Sequence, residues 1–190
     1  MDFKGSQTEK NLLAAFAGES QARTRYTFFA SQAKKEGYEQ IAGIFEETSD
    51  NEKEHAKLFF KHLQGGTAEI TAAYPAGVTA TTAENLKAAA AGEKLEWGTL
   101  YPNFGNVAEQ EGFPAVAQTF RMVAKVEAYH ERRYLKLLDS LTNGTVFKKD
   151  QPIKWKCRNC GHVFEGAEAP TVCPVCGHPK AFFEVWTENY

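Results

Sequence analysis

The chain contains one four-residue signature twice, Glu52-x-x-His55 and Glu127-x-x-His130. On an α-helix, residues i and i+3 lie on one side about a turn apart, so a glutamate and a histidine at this spacing can bind one metal ion together. A single Glu-x-x-His occurs on helix surfaces by chance, and a second copy makes metal binding the better interpretation. The repetition predicts two helices that each contribute a Glu–His pair to a common site.

Each signature is preceded by a further glutamate at nearly the same distance. Glu19 lies 33 residues before Glu52, and Glu93 lies 34 residues before Glu127. Four-helix bundles that bind two metal ions through carboxylates use one glutamate from each of two helices and one Glu-x-x-His from each of the other two. All six residues are present in that order, so we predict a four-helix bundle with metal ligands in its core.

Four amphipathic segments predict the helices of this bundle. Capping boxes mark two of the starts, and glycines or Asn-Gly mark the ends. The predicted helices begin near Ser6, Ile41, Thr81 and Pro114 and end at Gly37, Gly65–Gly66, Gly112 and Asn143–Gly144. Residues 65–80 lack periodicity and are long enough to cross between two helical hairpins. Pro102 should kink the third helix, because an interior proline loses a backbone hydrogen bond.

The acidic residues fall inside the apolar stripes of these helices. Glu127 and His130, for example, lie between Val123 and Tyr134 in the fourth stripe. Several carboxylates in one core require compensating positive charge, because an isolated buried carboxylate is costly or takes up a proton. Metal ions supply this charge. Ligation rich in oxygen, with only two imidazoles, favours iron or manganese over structural zinc.

Three further residues have two interpretations each. Glu96 lies one turn after the third-helix glutamate, whereas the first half of the chain has Ala22 at the matching place, so Glu96 is either an additional ligand or a solvated residue. Tyr26 lies on the ligand face of the first helix, and Tyr101 precedes the predicted kink. Each tyrosine either donates its hydroxyl to a ligand carboxylate or packs in the core.

All four cysteines lie in two knuckles, Cys157-Arg-Asn-Cys160 and Cys173-Pro-Val-Cys176. They follow the last helix, where short aromatic and β-branched runs indicate a small β-rich module. Two Cys-x-x-Cys pairs can place four thiolates tetrahedrally around one ion. Tetrahedral sulfur coordination suits zinc and iron alike, so the module is either structural or a one-electron carrier.

Composition narrows the possible partners and location. The 190 residues have a formal net charge of -2 and no basic run, which argues against nucleic acid as the main partner. The polar N-terminus MDFKGSQTEK and the absence of any run of about 18 apolar residues predict neither a secretion signal nor a membrane span. We therefore expect the protein in the cytoplasm.

From about residue 5 to its C-terminus the chain resembles the rubrerythrins. The motifs that carry the resemblance are Gly18-Glu19-Ser20, Glu52-x-x-His55, Glu93-x-x-Glu96, Glu127-x-x-His130 and the two cysteine knuckles with a shortened gap between them. The resemblance implies a mainly α fold. A ferritin-like four-helix bundle with a crossover connection (residues 1–146) would precede a small β-rich rubredoxin-like domain (residues 147–190).

The resemblance also implies a role for each site residue. Glu52 and Glu127 would bridge the two irons of a non-haem di-iron centre. Glu19 and Glu96 would bind one iron and Glu93 and His130 the other, with His55 replacing Glu96 when the centre is reduced. Tyr26 and Tyr101 match tyrosines that donate hydrogen bonds to ligand carboxylates. The four cysteines would bind one mononuclear iron, with zinc as a possible substitute.

The implied function is reduction of hydrogen peroxide to water, with electrons returned through the cysteine-bound iron. The electron donor would be a separate NAD(P)H-dependent reductase or a rubredoxin-type protein, because the chain has no Gly-rich dinucleotide fingerprint. A homodimer or higher homo-oligomer is expected. Alternatives are a ferroxidase that stores iron, an electron-transfer or structural module with zinc in the cysteine site, and oxygen rather than peroxide as substrate.

Overall fold

The computed structural model describes residues 2–189, so Met1 and Tyr190, the outer ends of the two predicted domains, lie outside the described residues. α-Helices form most of the chain, and a small sheet follows them. The elements are α1 (Gln7–Lys35), α2 (Glu39–Phe60), α3 (Thr82–Leu95), a π-helical turn (Glu96–Leu100), α4 (Tyr101–Gln110), α5 (Pro114–Thr142), β1 (Lys148–Cys157), β2 (Val163–Glu168) and β3 (Phe183–Val185). Within residues 2–189, no helix is both long and apolar enough to cross a membrane.

Capping groups explain where α1 and α3 begin. Ser6 Oγ accepts a hydrogen bond from the Glu9 backbone N–H at 3.1 Å, and Thr81 and Glu84 form a reciprocal capping box before α3. Three helices are followed by glycines with positive φ, the conformation that ends a helix at lowest cost. These are Gly37, Gly112 and Gly144 after α1, α4 and α5.

α2 ends earlier than the sequence predicted. The expected end was Gly65–Gly66, but the last α-helical residue is Phe60. The backbone N–H groups of His62 and Leu63 each donate to a carbonyl three residues back at 3.1 Å, so the chain leaves the helix through tight turns. The two glycines, with φ of 82° and 94°, belong to the crossover that follows.

The third predicted helix is interrupted by a π-helical turn at the place where a proline kink was expected. The Tyr101 backbone N–H donates to the carbonyl of Glu96, five residues back, and the turn spans Glu96–Leu100. Pro102 then lies in the first turn of α4, where its missing N–H costs least. The wider turn therefore accommodates the proline by inserting an extra residue into the helix.

The helices form two antiparallel hairpins. α1 packs against α2, α3 and α4 pack against α5, and residues 61–81 cross between the hairpins. The core has two apolar clusters, one including Tyr26, Phe45 and Leu86 and the other including Leu12, Phe59 and Phe120. Along α1, α2 and α5 the predicted ligands fall between members of the two clusters, and Glu93 lies between Ala90 of the first cluster and Tyr101 of the second, so the acidic layer lies between two apolar layers.

The C-terminal part is an antiparallel sheet with strand order β2-β1-β3. Trp155 and Phe183 are fully buried in its core with Cys157. The sheet packs on the start of α2, where the rings of Tyr38 and Phe147 stack with centroids 6.1 Å apart.

Candidate metal centres

The bundle brings its predicted ligands into two overlapping groups. Within each group the ligand atoms lie within 4.8 Å of one another, and all the residues are buried. The groups share two carboxylates, Glu52 and Glu127. One group is Glu19, Glu52, His55 and Glu127, and the other is Glu52, Glu93, Glu127 and His130. Two shared carboxylates between two ligand groups are the arrangement that holds two ions side by side.

The buried carboxylate oxygens of the site outnumber the hydrogen-bond donors that face them. His55 Nδ1 lies 2.8 Å from oxygens of both Glu52 and Glu127, and His130 Nδ1 lies 2.8 Å from Glu127. Of these contacts only the one between His55 and Glu52 has hydrogen-bond geometry. Five carboxylate oxygens are therefore buried without a partner: Glu19 Oε2, Glu52 Oε1, Glu93 Oε2 and both oxygens of Glu127. Buried acceptors without donors are rare and costly, and cations satisfy them.

The pKa shifts of the buried glutamates and of His130 also indicate a site that requires positive charge. Burial, followed by the neighbouring carboxylates, raises the pKa of Glu93 to about 8 and holds that of Glu19 well above its usual range. Burial disfavours a charged His130, but its contacts with Glu127 and Glu52 raise its pKa to about 12. The site thus takes up protons to offset its own negative charge. Its oxygen-rich donor set fits a pair of iron ions in place of those protons.

Two buried tyrosines each hold one ligand carboxylate. The Tyr26 hydroxyl donates to Glu93 Oε1 at 2.5 Å, and the Tyr101 hydroxyl donates to Glu19 Oε1 at 2.5 Å. Burial raises the pKa of both phenols well above the usual value, so both remain donors at neutral pH. In each carboxylate the other oxygen is the one without a partner. Each tyrosine therefore leaves one oxygen free to bind an ion.

Glu96 is separated from the two groups. It is half-buried in the π-helical turn, and it is absent from both sets of clustered ligand atoms, whereas His55 belongs to the first set. Of the two residues that the resemblance names as alternatives, the structure places His55 with Glu19. His62, which follows the end of α2, is half-buried, belongs to neither group, and has its Nε2 2.8 Å from Thr119 Oγ1.

The four cysteines form a separate group. Their sulfurs lie within 4.8 Å of one another, with Cys157–Cys176 and Cys160–Cys173 separations of 3.7 Å. This is too long for a disulfide, which is about 2.05 Å. Four sulfurs at about 2.3 Å from a central ion lie about 3.8 Å apart in a tetrahedron. The sulfurs are therefore placed to bind one ion, and neither His162 nor His178 enters the group.

The backbone of each knuckle shapes the cysteine site. The N–H groups of Gly161 and Gly177 donate to the carbonyls of Cys157 and Cys173 at 2.8 and 2.9 Å, and both glycines have positive φ. A hydrogen bond from the backbone N–H of His178 is the main reason that the pKa of Cys176 falls to about 6. A thiolate, the form that binds metal, is thereby favoured at neutral pH.

The sequence pattern did not indicate that the crossover segment, residues 65–80, would lie beside the candidate metal centre. The crossover segment, predicted only as a connection, lies against α1, and the Tyr74 hydroxyl donates to the Ala14 carbonyl at 2.7 Å. Tyr74 and Pro75 are the one aromatic and the one proline within residues 65–80, which is the feature that distinguishes this stretch from a plain linker.

Comparison with known proteins covers both parts of the chain. Residues 10–138 match the sequence profile of the rubrerythrin family, and residues 155–184 match the rubredoxin-like domain of rubrerythrins. A rubrerythrin from Porphyromonas gingivalis is 63% identical over 98% of this chain and 94% of its own length. A rubrerythrin from Clostridium perfringens is 56% identical over 98% of each chain.

Solved structures show the same architecture. Nigerythrin in a mixed-valence state aligns with a TM-score of 0.62 and 32% identity, covering 97% of this chain and 88% of that one. Symerythrin from Cyanophora paradoxa, reduced with dithionite, aligns with a TM-score of 0.59 over 75% of this chain and 98% of that one, at 18% identity, which bears on the fold alone. The predicted fold class, a ferritin-like four-helix bundle followed by a small rubredoxin-like domain, is confirmed.

Proposed function

The chain belongs to the rubrerythrin family, and from that premise we propose that it reduces hydrogen peroxide to water at a non-haem di-iron centre in its helical bundle. One observation carries the proposal: the two ligand groups share Glu52 and Glu127, so two metal ions would lie side by side. Two ferrous ions held by these groups would supply the two electrons that reduction of one peroxide molecule consumes. The protein's own residues would hold the ions, orient the ligand carboxylates and provide the site through which electrons return.

In the proposal the glutamates divide the work of holding the two ions. Glu52 and Glu127, which belong to both ligand groups, would be shared by the two ions. Glu19 binds one ion together with His55 or Glu96, and Glu93 and His130 bind the other. Because Tyr26 and Tyr101 each hold one oxygen of a terminal carboxylate, the remaining oxygen has a defined direction before metal binds. Such pre-orientation by outer hydrogen bonds keeps the ligand geometry through a redox change.

With iron bound, the cysteine site would return the electrons one at a time. We propose that Cys157, Cys160, Cys173 and Cys176 bind one iron ion, because zinc has a single stable oxidation state and would serve only the fold. Cys160 is exposed, which gives an external donor a route to the site. That donor would be an NAD(P)H-dependent reductase or a rubredoxin-type protein. The proposal includes a homodimer or larger homo-oligomer and a cytoplasmic location, where paired thiols stay reduced.

Parallel mixing experiments test the peroxidase function. Anaerobically reduced, iron-loaded protein is mixed with hydrogen peroxide or with dissolved oxygen at equal concentration, and the iron absorption is followed. We expect peroxide to oxidise the bundle irons much faster than oxygen, with two water molecules formed per peroxide. Faster oxidation by oxygen would refute the proposal, and a native mass of a many-subunit shell would support iron storage instead.

A further inference from the structure

A cavity of about 370 Å³ lies between α1, the crossover segment and the α3–α4 region. It lies next to the candidate metal centre, because its wall includes Tyr101, whose hydroxyl donates to Glu19, together with Glu96. Most of the rest of its wall is apolar and includes Ala14, Ala15, Pro75, Leu95, Leu100 and Phe104. Cavities that bind small organic molecules have this combination of size, apolar wall and a few polar groups.

The crossover segment forms one side of this cavity. Tyr74 is tied to α1 by its hydrogen bond to the Ala14 carbonyl, and its Cε1 lies 3.5 Å from the position that a Cβ at residue 18 would occupy. The Tyr74 ring therefore packs against α1 at Gly18, the residue before Glu19. The cavity is therefore built by the packing of the crossover against α1.

The charged residues that line the cavity are one basic residue, Arg25, and one acidic residue, Glu96. Arg25 Nε donates to Gln21 Oε1 at 2.6 Å, and Glu96 is half-buried. A neutral ligand suits such a site better than an anion. Hydrogen peroxide is neutral but small and fully polar, so it has no use for apolar walls of this extent.

We propose that this cavity binds the hydrocarbon group of an organic hydroperoxide and presents its peroxide group to the metal centre beside Glu96 and Tyr101. The inference rests on the proposed peroxidase function and extends its substrate class. The reaction is ROOH + 2 e⁻ + 2 H⁺ → ROH + H₂O, in which the O–O bond breaks. A reduced di-iron centre held by the two ligand groups would supply both electrons, an external reductase would restore them, and solvent would supply the protons. A volume of about 370 Å³ favours a compact alkyl or aryl group.

Cumyl alcohol and cumene hydroperoxide test this inference on the iron-loaded protein. The alcohol cannot be reduced, so its binding, measured by calorimetry, does not depend on turnover. The variants Ala14→Phe and Ala73→Phe narrow the cavity from the helix and from the crossover. Ala73 is exposed and outside any helix, so its replacement leaves helix packing intact. Ala91→Phe, at an exposed site on α3 outside the cavity wall, is the control.

We expect cumyl alcohol to bind the unmodified protein more tightly than tert-butanol, by about fourfold for each additional buried methylene equivalent. Both cavity variants should weaken this binding and lower kcat/KM for cumene hydroperoxide by about tenfold or more, with kcat/KM for hydrogen peroxide within about twofold. The control should change neither. Equal losses for both peroxides would overturn the inference. Hydrogen peroxide reduction without alcohol binding overturns this inference alone, whereas alcohol binding without reduction of either peroxide overturns the proposed function.

Discussion

Replacing Tyr101 by phenylalanine should weaken one ion of the pair and spare the other. The substitution removes only the hydroxyl that donates to Glu19 Oε1 at 2.5 Å, and both side chains are fully buried, so no water replaces the lost donor. A hydrogen bond to a charged group contributes about 1.5–3 kcal/mol. At about 1.4 kcal/mol per tenfold change, this corresponds to a loss of about 10- to 150-fold in affinity. Outer-sphere substitutions at metal sites have effects of this size.

The structure predicts which ion is affected. Glu19 belongs only to the ligand group that contains His55, so Tyr101→Phe should weaken that ion. Tyr26 donates to Glu93, which belongs only to the group that contains His130, so Tyr26→Phe should weaken the other ion. The two variants should therefore have opposite effects: each should weaken the binding of one ion and leave the other unchanged.

Stepwise iron binding in competition with a chelator, followed by Mössbauer spectroscopy, measures the two affinities separately. Tyr134→Phe is the matched control. Tyr134 is equally buried in the same bundle, and its hydroxyl has no hydrogen-bond partner within the described residues, so its removal should leave both affinities unchanged. If either tyrosine variant weakened both ions equally, or if neither differed from Tyr134→Phe, the orienting role would be wrong.

Three further predictions concern turnover, the histidine ligand and stability. Cys157→Ser removes one of the four sulfurs and should abolish turnover with a reductase while leaving a single oxidation of chemically reduced protein by peroxide unchanged; surviving turnover would exclude the cysteine site as the relay. His55→Ala should slow the peroxide oxidation of reduced protein in stopped-flow measurements, whereas His62→Ala, which alters only the contact with Thr119, should not, and identical rates would exclude a role for His55. Removing the metals should lower Tm, because an ion present at 100 times its Kd stabilises the folded state by about 2.7 kcal/mol, or roughly 5–11 °C for a chain of this size; equal Tm values with and without metal in calorimetry would contradict the ligand assignment.

Several features of the molecule are determined by interactions between residues close together in the sequence. The capping boxes at Ser6 and Thr81 and the terminal glycines depend on interactions within a few residues, and the structure has them where the pattern predicts. The spacing of Glu127 and His130 on one helical face, and of each Cys-x-x-Cys pair in one knuckle, is likewise set by local geometry. These signals were enough to predict the fold class and to propose the ligand residues.

Features that depend on competition between alternative backbone hydrogen-bond patterns were harder to predict. The proline pattern indicated a kink, but the chain inserts a π-helical turn at Glu96–Leu100 instead, because a five-residue hydrogen bond leaves Pro102 in the first turn of the next helix. α2 ends at Phe60 because tight turns through Leu63 take over before the glycine pair is reached. Alternative hydrogen-bond patterns of similar energy are not distinguished by composition.

The sequence by itself determined which residue types are available to bind metal and on which helical faces they lie, because side-chain direction follows from the helical period. Only the tertiary structure decided that Glu52 and Glu127 are shared by both groups, that His55 rather than Glu96 lies among the clustered candidate ligand atoms, and that the crossover forms a cavity against α1. Each of these depends on distances between helices far apart in the chain, and those distances are set by the packing of the two apolar clusters.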